Sequence, residues 1–397
     1  MSRETTFMLS HLVSWLSTLS LVFGGCCSNA ITLEQLTSLY PSAGSLITVC
    51  QFVVISLQGL PRHVAWTRYG PRLKSRRIPL RFYIAQVALY YLVSLLNNVA
   101  FGYNIPMSVH IIFRSGGLVI TMLLGWIIAK KRYNITQITS IATVTVGVLL
   151  TTMSASKQSS GSGNDSLLTY LTGIAILTLA LIFAGLLGLV QDYTYSRYGR
   201  PLPVNASTSS LAAPPPTWQE SMFYLHFLAL PMFVSVRKDI LSQIHAIQIG
   251  PASTYSLPTA GSRKWPLSIL PSLAFPNSPV ALNMSLPVSF YSADGGTYAR
   301  LTLPSASLPL LLNTLTQSFC AAGVNRLTTR VSALTVTLVL VVRKAMSLVL
   351  SVTLGFGKVG GKTENVDMNM MWTGAALVML GTIGYSFGTQ GKREKRE

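Results

Sequence analysis

Ten mostly apolar stretches, each close to the length that crosses a lipid bilayer, leave this chain of 397 residues few folds to choose from. A hydrocarbon core about 30 Å thick takes roughly 20 residues of helix. Inside it every backbone N–H and C=O must be satisfied within the segment, which selects helices over open strands. The stretches are Met8–Ile31, Ala43–Leu60, Phe82–Phe101, Pro106–Ala129, Ile135–Ser154, Leu167–Val190, Ser221–Val236, Ser305–Val324, Val331–Phe356 and Met371–Phe387, the seventh being the shortest. Half of the residues are hydrophobic and a tenth are charged, too apolar for a soluble domain of this size. The fold class that follows is an all-α membrane protein with ten transmembrane helices.

The net charge of +19 could point to nucleic acid, but the basic residues lie between the apolar runs, where topology accounts for them. With the N-terminus in the cytosol, 19 of the 30 Lys and Arg fall in cytosolic segments and 8 in lumenal ones. That bias predicts an even number of spans with both termini cytosolic. Cys26, Cys27, Cys50 and Cys320 all fall in apolar stretches, which reads as free buried thiols without a metal pattern. No cofactor is implied. The first apolar run leads into the second without a small-residue cleavage site, so residue 1 reads as the mature start.

The chain divides into residues 1–200, a first five-span repeat plus the sixth span; 201–219, a Pro-rich cytosolic linker; 220–236, the seventh span; 237–303, a long flexible lumenal insertion rich in Pro and Ser; and 304–397, spans eight to ten with a basic cytosolic tail. Residues 154–166 form a Gly/Ser-rich lumenal linker. Asn283-Met-Ser285 fits an N-glycosylation acceptor, and Asn164-Asp-Ser166 fits the same pattern against the start of span six. Aligning the fourth span with the ninth pairs Arg114 with Lys344, Leu118 with Leu348, Val119 with Val349, Leu124 with Leu354 and Gly125 with Gly355. Ala142 and Gly147 match Ala376 and Gly381 more weakly. The pattern predicts an inverted repeat of five plus five.

Three cations, Arg114, Arg343 and Lys344, lie within spans. Each costs about 2.5–3.5 kcal/mol near a bilayer centre, so they must face a wet interior. A buried carboxylate is the usual partner of such a cation, but none of the eleven acids falls inside a predicted span. The missing counter-charge is then a substrate anion. A diphosphate fits the fork of an arginine and the point charge of a lysine, although Arg114 could instead hold helix-terminal carbonyls. Polar residues near the cations could read a sugar and a base: Asn97, Asn98, His110, Ser115, Asn313, Thr316, Gln317, Thr335, Thr337 and Ser347. Taken singly, each is more often an interhelical hydrogen bond. Gly355–Thr363 reads GFGKVGGKT, but Phe356 stands where a phosphate-binding loop requires glycine. With no intramembrane acid to relay protons and no ATPase motif, exchange is the simplest energetics.

The stretches GGCCSNAITLEQL (Gly24–Leu36), NNVAFGYNIPMSVHIIFRSG (Asn97–Gly116), KKRY (Lys130–Tyr133) and SALTVTLVLVVRK (Ser332–Lys344) resemble the UDP-N-acetylglucosamine transporter family, a nucleotide-sugar branch of the drug/metabolite transporters. The resemblance covers residues 20–390 apart from the 237–303 insertion, which departs from the compact loop expected there. It implies a ten-helix inverted-repeat fold, antiport of cytosolic UDP-sugar for lumenal UMP, and engagement of the nucleotide phosphates by the Arg343-Lys344 pair. The expected partners are UDP-sugar, UMP and membrane lipid, with a homo-oligomer left open and nucleic acid not expected. Carriers of UDP-xylose or UDP-galactose remain alternatives. A polyprenol-dependent glycosyltransferase would need an acidic cluster at a membrane face, which is not seen. The KREKRE tail places Arg393 and Lys395 as in a basic retrieval signal, predicting residence in the endoplasmic reticulum with Golgi cycling. A plain positive-inside anchor is the competing reading.

Overall fold

The computed structural model describes residues 3–40, 42–68, 70–100, 116–154, 167–199, 216–258, 288–293, 296–353 and 367–394. Its helices are α1 (Arg3–Ser20) and α2 (Cys26–Leu39), joined by a π-helical turn at Leu21–Gly25, then α3 (Gly44–His63), α4 (Leu80–Ala100), α5 (Gly117–Ile127), α6 (Ile135–Ser154), α7 (Leu167–Tyr198), α8 (Thr217–Ala229), α9 (Arg237–Ile249), α10 (Ser307–Thr328), α11 (Ala333–Thr353) and α12 (Met368–Glu394). Five segments are long and apolar enough to cross a membrane: Leu12–Thr37, Gly44–His63, Leu80–Asn97, Leu171–Tyr198 and Met368–Thr389. Gly117–Ile127 and Ile135–Thr151 are shorter apolar helices. Large apolar side chains face outward, Met379 at 62%, Leu380 at 63% and Phe387 at 65% exposure, as expected of surfaces solvated by lipid.

Glycine sets how close the helices come. A Cβ on Gly147 would lie 2.7 Å from the Gly374 carbonyl, and one on Gly381 would lie 2.8 Å from the Ser140 carbonyl, so α6 and α12 pack backbone against backbone. Beside them Leu118, Ile141, Val144, Leu334, Leu338, Val341 and Tyr385 join α5, α6, α11 and α12 in one core. The second close crossing is between the π turn and α10: a Cβ on Gly25 would meet the Cys320 nitrogen at 2.8 Å, and one on Gly323 the Val22 nitrogen at 2.7 Å. This crossing overturns the expectation of four free thiols. It brings the Cα atoms of Cys26 and Cys320 to 4.4 Å, and the two residues form a disulfide. Cys27 and Cys50 are free. The partners are 294 residues apart in sequence, so only the helix crossing could reveal the pair.

The 237–303 insertion is also more ordered than expected where it is described. It holds α9 and three antiparallel strands, β3 (Ala252–Pro258), β4 (Val288–Ala293) and β5 (Gly296–Pro304), in the order β3-β5-β4. The buried Gln243 of α9 stitches the insertion to the bundle: its side-chain oxygen accepts from Leu46 N at 2.8 Å, satisfying an amide in the first turn of α3. Between α3 and α4, Val64–Thr67 (β1) and Gly70–Leu73 (β2) make a two-stranded hairpin that the apolar pattern did not suggest. Asn283, residues 155–166 and residues 201–215 lie outside the described residues, as do residues 106–115 of the fourth apolar run.

The acid inventory needs one correction. Glu220, placed by the sequence at the edge of span seven, lies within α8 and is only 1% exposed. Its donors include Arg77 N at 2.9 Å, Ile78 N at 3.0 Å and the Tyr83 hydroxyl at 3.1 Å. The carboxylate thus ties the segment entering α4 to α8, in a core of Ile78, Tyr83, Tyr195, Phe223 and Tyr224.

Candidate functional site

A cavity of about 280 Å³ opens among α3, α4, α7, α8 and α10. Its wall carries Phe52, Gln86, Tyr90, Gln191, His226, Gln317, Cys320 and Asn325, aromatic rings and amides in an apolar setting, the usual makeup of a small-molecule site. Gln86 is fully buried. Its Nε2 donates to the Thr194 hydroxyl at 3.5 Å, while Oε1 has no donor among the described residues. An unmet buried acceptor costs about 1–3 kcal/mol, so this oxygen is suited to a ligand N–H or O–H. His226 lies 2.6 Å from the Met222 carbonyl through Nδ1, which must carry the proton because a carbonyl only accepts. Its ring packs against Phe52 with centroids 4.7 Å apart.

The disulfide connects this cavity to the cations on α11. Cys320 lies on the cavity wall, Cys26 is bonded to it, and Arg343 Nη1 donates to the Cys26 carbonyl at 3.4 Å. That contact is long, and the buried Nε of Arg343 has no partner among the described residues. One turn on, Ser347 donates to Cys27 Sγ at 3.2 Å, so Arg343 and Ser347 share the α11 face toward α2. Lys344, the next residue in the helix, is exposed. The predicted pair is therefore split by the helix's rotation of about 100° per residue.

The remaining predicted residues differ in what they can offer a ligand. Gln317 reaches the cavity while accepting from Asn29 Nδ2 at 2.8 Å. Asn313 is fully buried and engaged within the protein: it accepts from Gln51 Nε2 at 2.7 Å and donates to the side-chain oxygens of Asn29 at 3.0 Å and Thr32 at 3.2 Å. This network links α2, α3 and α10. Thr316 donates to the Leu312 carbonyl, Thr337 to the Ala333 carbonyl and Asn97 to the Val93 carbonyl, all within their own helices. Thr335 shares a hydrogen bond with Ser332 at 3.0 Å. His110, Arg114, Ser115 and Lys395, with the side chains of Asn98 and Arg393, lie outside what is described.

Sequence reasoning missed Gln86, Gln191 and His226. A signal was there for Gln86 and His226, polar residues within apolar runs, but neither lies near an intramembrane cation in the sequence. Among the described residues no group of three His, Cys, Asp or Glu is placed to hold a metal.

Residues 14–388, nearly the whole chain, match the UAA transporter family. The chain belongs to that family. UAA relatives include the Homo sapiens protein named nucleotide sugar transporter SLC35B4, 34% identical over 373 residues and covering 92% of each chain. Another, from Danio rerio, is named UDP-xylose and UDP-N-acetylglucosamine transporter and is 33% identical over 374 residues, again covering 92% of each. The UDP-N-acetylglucosamine transporter YEA4 of Saccharomyces cerevisiae is 33% identical over 389 residues, 94% of each chain.

Proposed function

We propose that this UAA transporter is a ten-span nucleotide-sugar antiporter that carries cytosolic UDP-N-acetylglucosamine into the lumen of the endoplasmic reticulum or Golgi in exchange for UMP. The names of its relatives support the substrate class. The observation that carries the reading is Arg343, a half-buried guanidinium held by one long contact, with a buried Nε that lacks a partner among the described residues. A phosphate oxygen would satisfy it. UDP-sugar and UMP share uridine and a phosphate, so a site that reads those parts binds both and favours exchange. In this reading Gln86 Oε1 and the aromatic wall of the cavity face the base, and Arg343 the phosphates, with Lys344 and Arg114 as further cations. The tight α6–α12 pairing supports the five-plus-five repeat, since it brings together the spans matched through Gly147 and Gly381. Arg393 and Lys395 form the retrieval signal of a tail facing the cytosol.

UDP-xylose is the second reading, favoured by the name of the Danio rerio relative. Proteoliposomes containing the purified chain and preloaded with UMP separate the two. Radiolabelled UDP-N-acetylglucosamine should enter faster than UDP-xylose, UDP-galactose or GDP-fucose, and only with UMP inside. Uptake indifferent to internal UMP would end the antiport reading, and preference for another sugar would reassign the substrate.

A further inference from the structure

A second cavity, of about 210 Å³, lies at the junction of α3, α8 and α10 and contains none of the residues discussed so far as nucleotide ligands. The two cavities use different faces of α10. Gln317, Cys320, Ala321 and Val324 face the first, and Leu315, Ser318, Phe319 and Ala322 the second.

The polar end of the second cavity is the C-terminus of α3. Here Arg62 is exposed and His63 is only 4% exposed. Nδ1 of His63 lies 2.9 Å from the Gly59 carbonyl and therefore carries a proton. The ring is fixed flat against Phe223, with centroids 4.7 Å apart and planes within 4°. Its Nε2 is buried and has no hydrogen-bond partner among the described residues. Trp218, also on the wall, carries the Arg326 guanidinium 4.3 Å above its ring. The acid next in sequence, Glu220, is engaged by Arg77, Ile78 and Tyr83. This end of the cavity is thus built from cations and a buried, unpartnered imidazole nitrogen.

The other end is apolar and open to the side. Leu315 and Phe319 line it while remaining 39% and 56% exposed. Both lie in the apolar run Ser305–Val324 that the sequence reads as a span, where an exposed apolar face is solvated by acyl chains. The basic hairpin grows directly from the polar end: β1 starts at Val64, Lys74 N donates to the His63 carbonyl at 2.8 Å, and Arg72, Lys74 and Arg76 are exposed. The feature is a pocket with a cationic mouth at the end of a span, an apolar side opening, and a basic flap at its rim.

We infer that this pocket binds one anionic phospholipid from the leaflet beside the β1–β2 hairpin. The headgroup phosphate accepts from Arg62, His63 Nε2 faces the headgroup as its hydrogen-bond partner, and an acyl chain lies along Leu315 and Phe319. The inference stands apart from the choice of nucleotide-sugar, since the lipid site and the transport cavity share no residue.

The test is native mass spectrometry of the full-length protein from mixed micelles of dioleoylphosphatidylserine and dioleoylphosphatidylcholine. Wild type should retain one phosphatidylserine under conditions that strip phosphatidylcholine. Arg62→Gln should weaken retention about fivefold, the equivalent of roughly 1 kcal/mol for one basic side chain at an anionic surface. His63→Gln should weaken it further, and Arg62→Gln, at an exposed position, keeps the test standing if the His63 variant does not fold. Three results would overturn the assignment: equal retention of phosphatidylcholine, wild-type retention in Arg62→Gln, or displacement of the lipid by tail-free glycerophosphoserine at equal concentration, which would make the ligand a soluble anion.

Discussion

Replacing Arg343 by alanine separates a ligand-binding cation from a structural one. Within the protein, Arg343 gives up one 3.4 Å contact to the Cys26 carbonyl, at the weak end of hydrogen-bond geometry, and removal also relieves its buried Nε of an unmet donor. These terms oppose each other, so the folded state should change by no more than about 1 kcal/mol. A charge-assisted hydrogen bond to phosphate is worth roughly 1.5–3 kcal/mol, so UMP affinity should fall about tenfold to a hundredfold. Arg343→Lys keeps the charge but loses the planar fork and should fall between the two. The measurements are equilibrium UMP binding and thermal unfolding on the same purified protein. Wild-type UMP affinity in a folded Arg343→Ala protein would remove the phosphate from this site. Loss of the fold with loss of binding would make Arg343 structural.

Three other outcomes follow from the packing and a fourth from the Lys and Arg bias. Denatured without reductant, the chain should take up two maleimide labels, at Cys27 and Cys50, and four after reduction; four at the outset would rule out the Cys26–Cys320 bond. Glu220→Ala should destabilise by roughly 3–6 kcal/mol, since it strands two backbone amides and a phenol, with Glu220→Gln costing less because one oxygen remains; equal losses in chemical unfolding would contradict this. Gly381→Leu should force α6 and α12 apart at a cost of about 3 kcal/mol or more, whereas Gly24→Ala, with nothing within 4 Å of its Cβ, should be close to neutral when melting temperatures are compared. A C-terminal tag on sealed vesicles should be digested by external protease, and its protection would reverse the topology.

Apolar runs marked where the helices outside the 237–303 insertion lie, because in lipid a segment of about 20 residues has to satisfy its own backbone. Every predicted run falls at least partly on a described helix, and the runs Gly24–Leu36 and Ser332–Lys344 carried the family resemblance in their local order. Arg343 was legible for the same one-dimensional reason: a cation inside an apolar run stands out without knowledge of its neighbours. Which helices touch was not legible. Asn313 and Gln317 sit four residues apart on α10 and look alike in sequence, yet one is sealed among Asn29, Thr32 and Gln51 and the other reaches a cavity. Arg343 and Lys344 are adjacent, yet helix rotation turns one toward α2 and leaves the other exposed. The disulfide, the Glu220 clasp and both cavities join residues from distant parts of the chain. The disulfide depends on Gly25 and Gly323, where helix backbones meet, and burial at such crossings is a property of two segments together, which no single run of residues encodes.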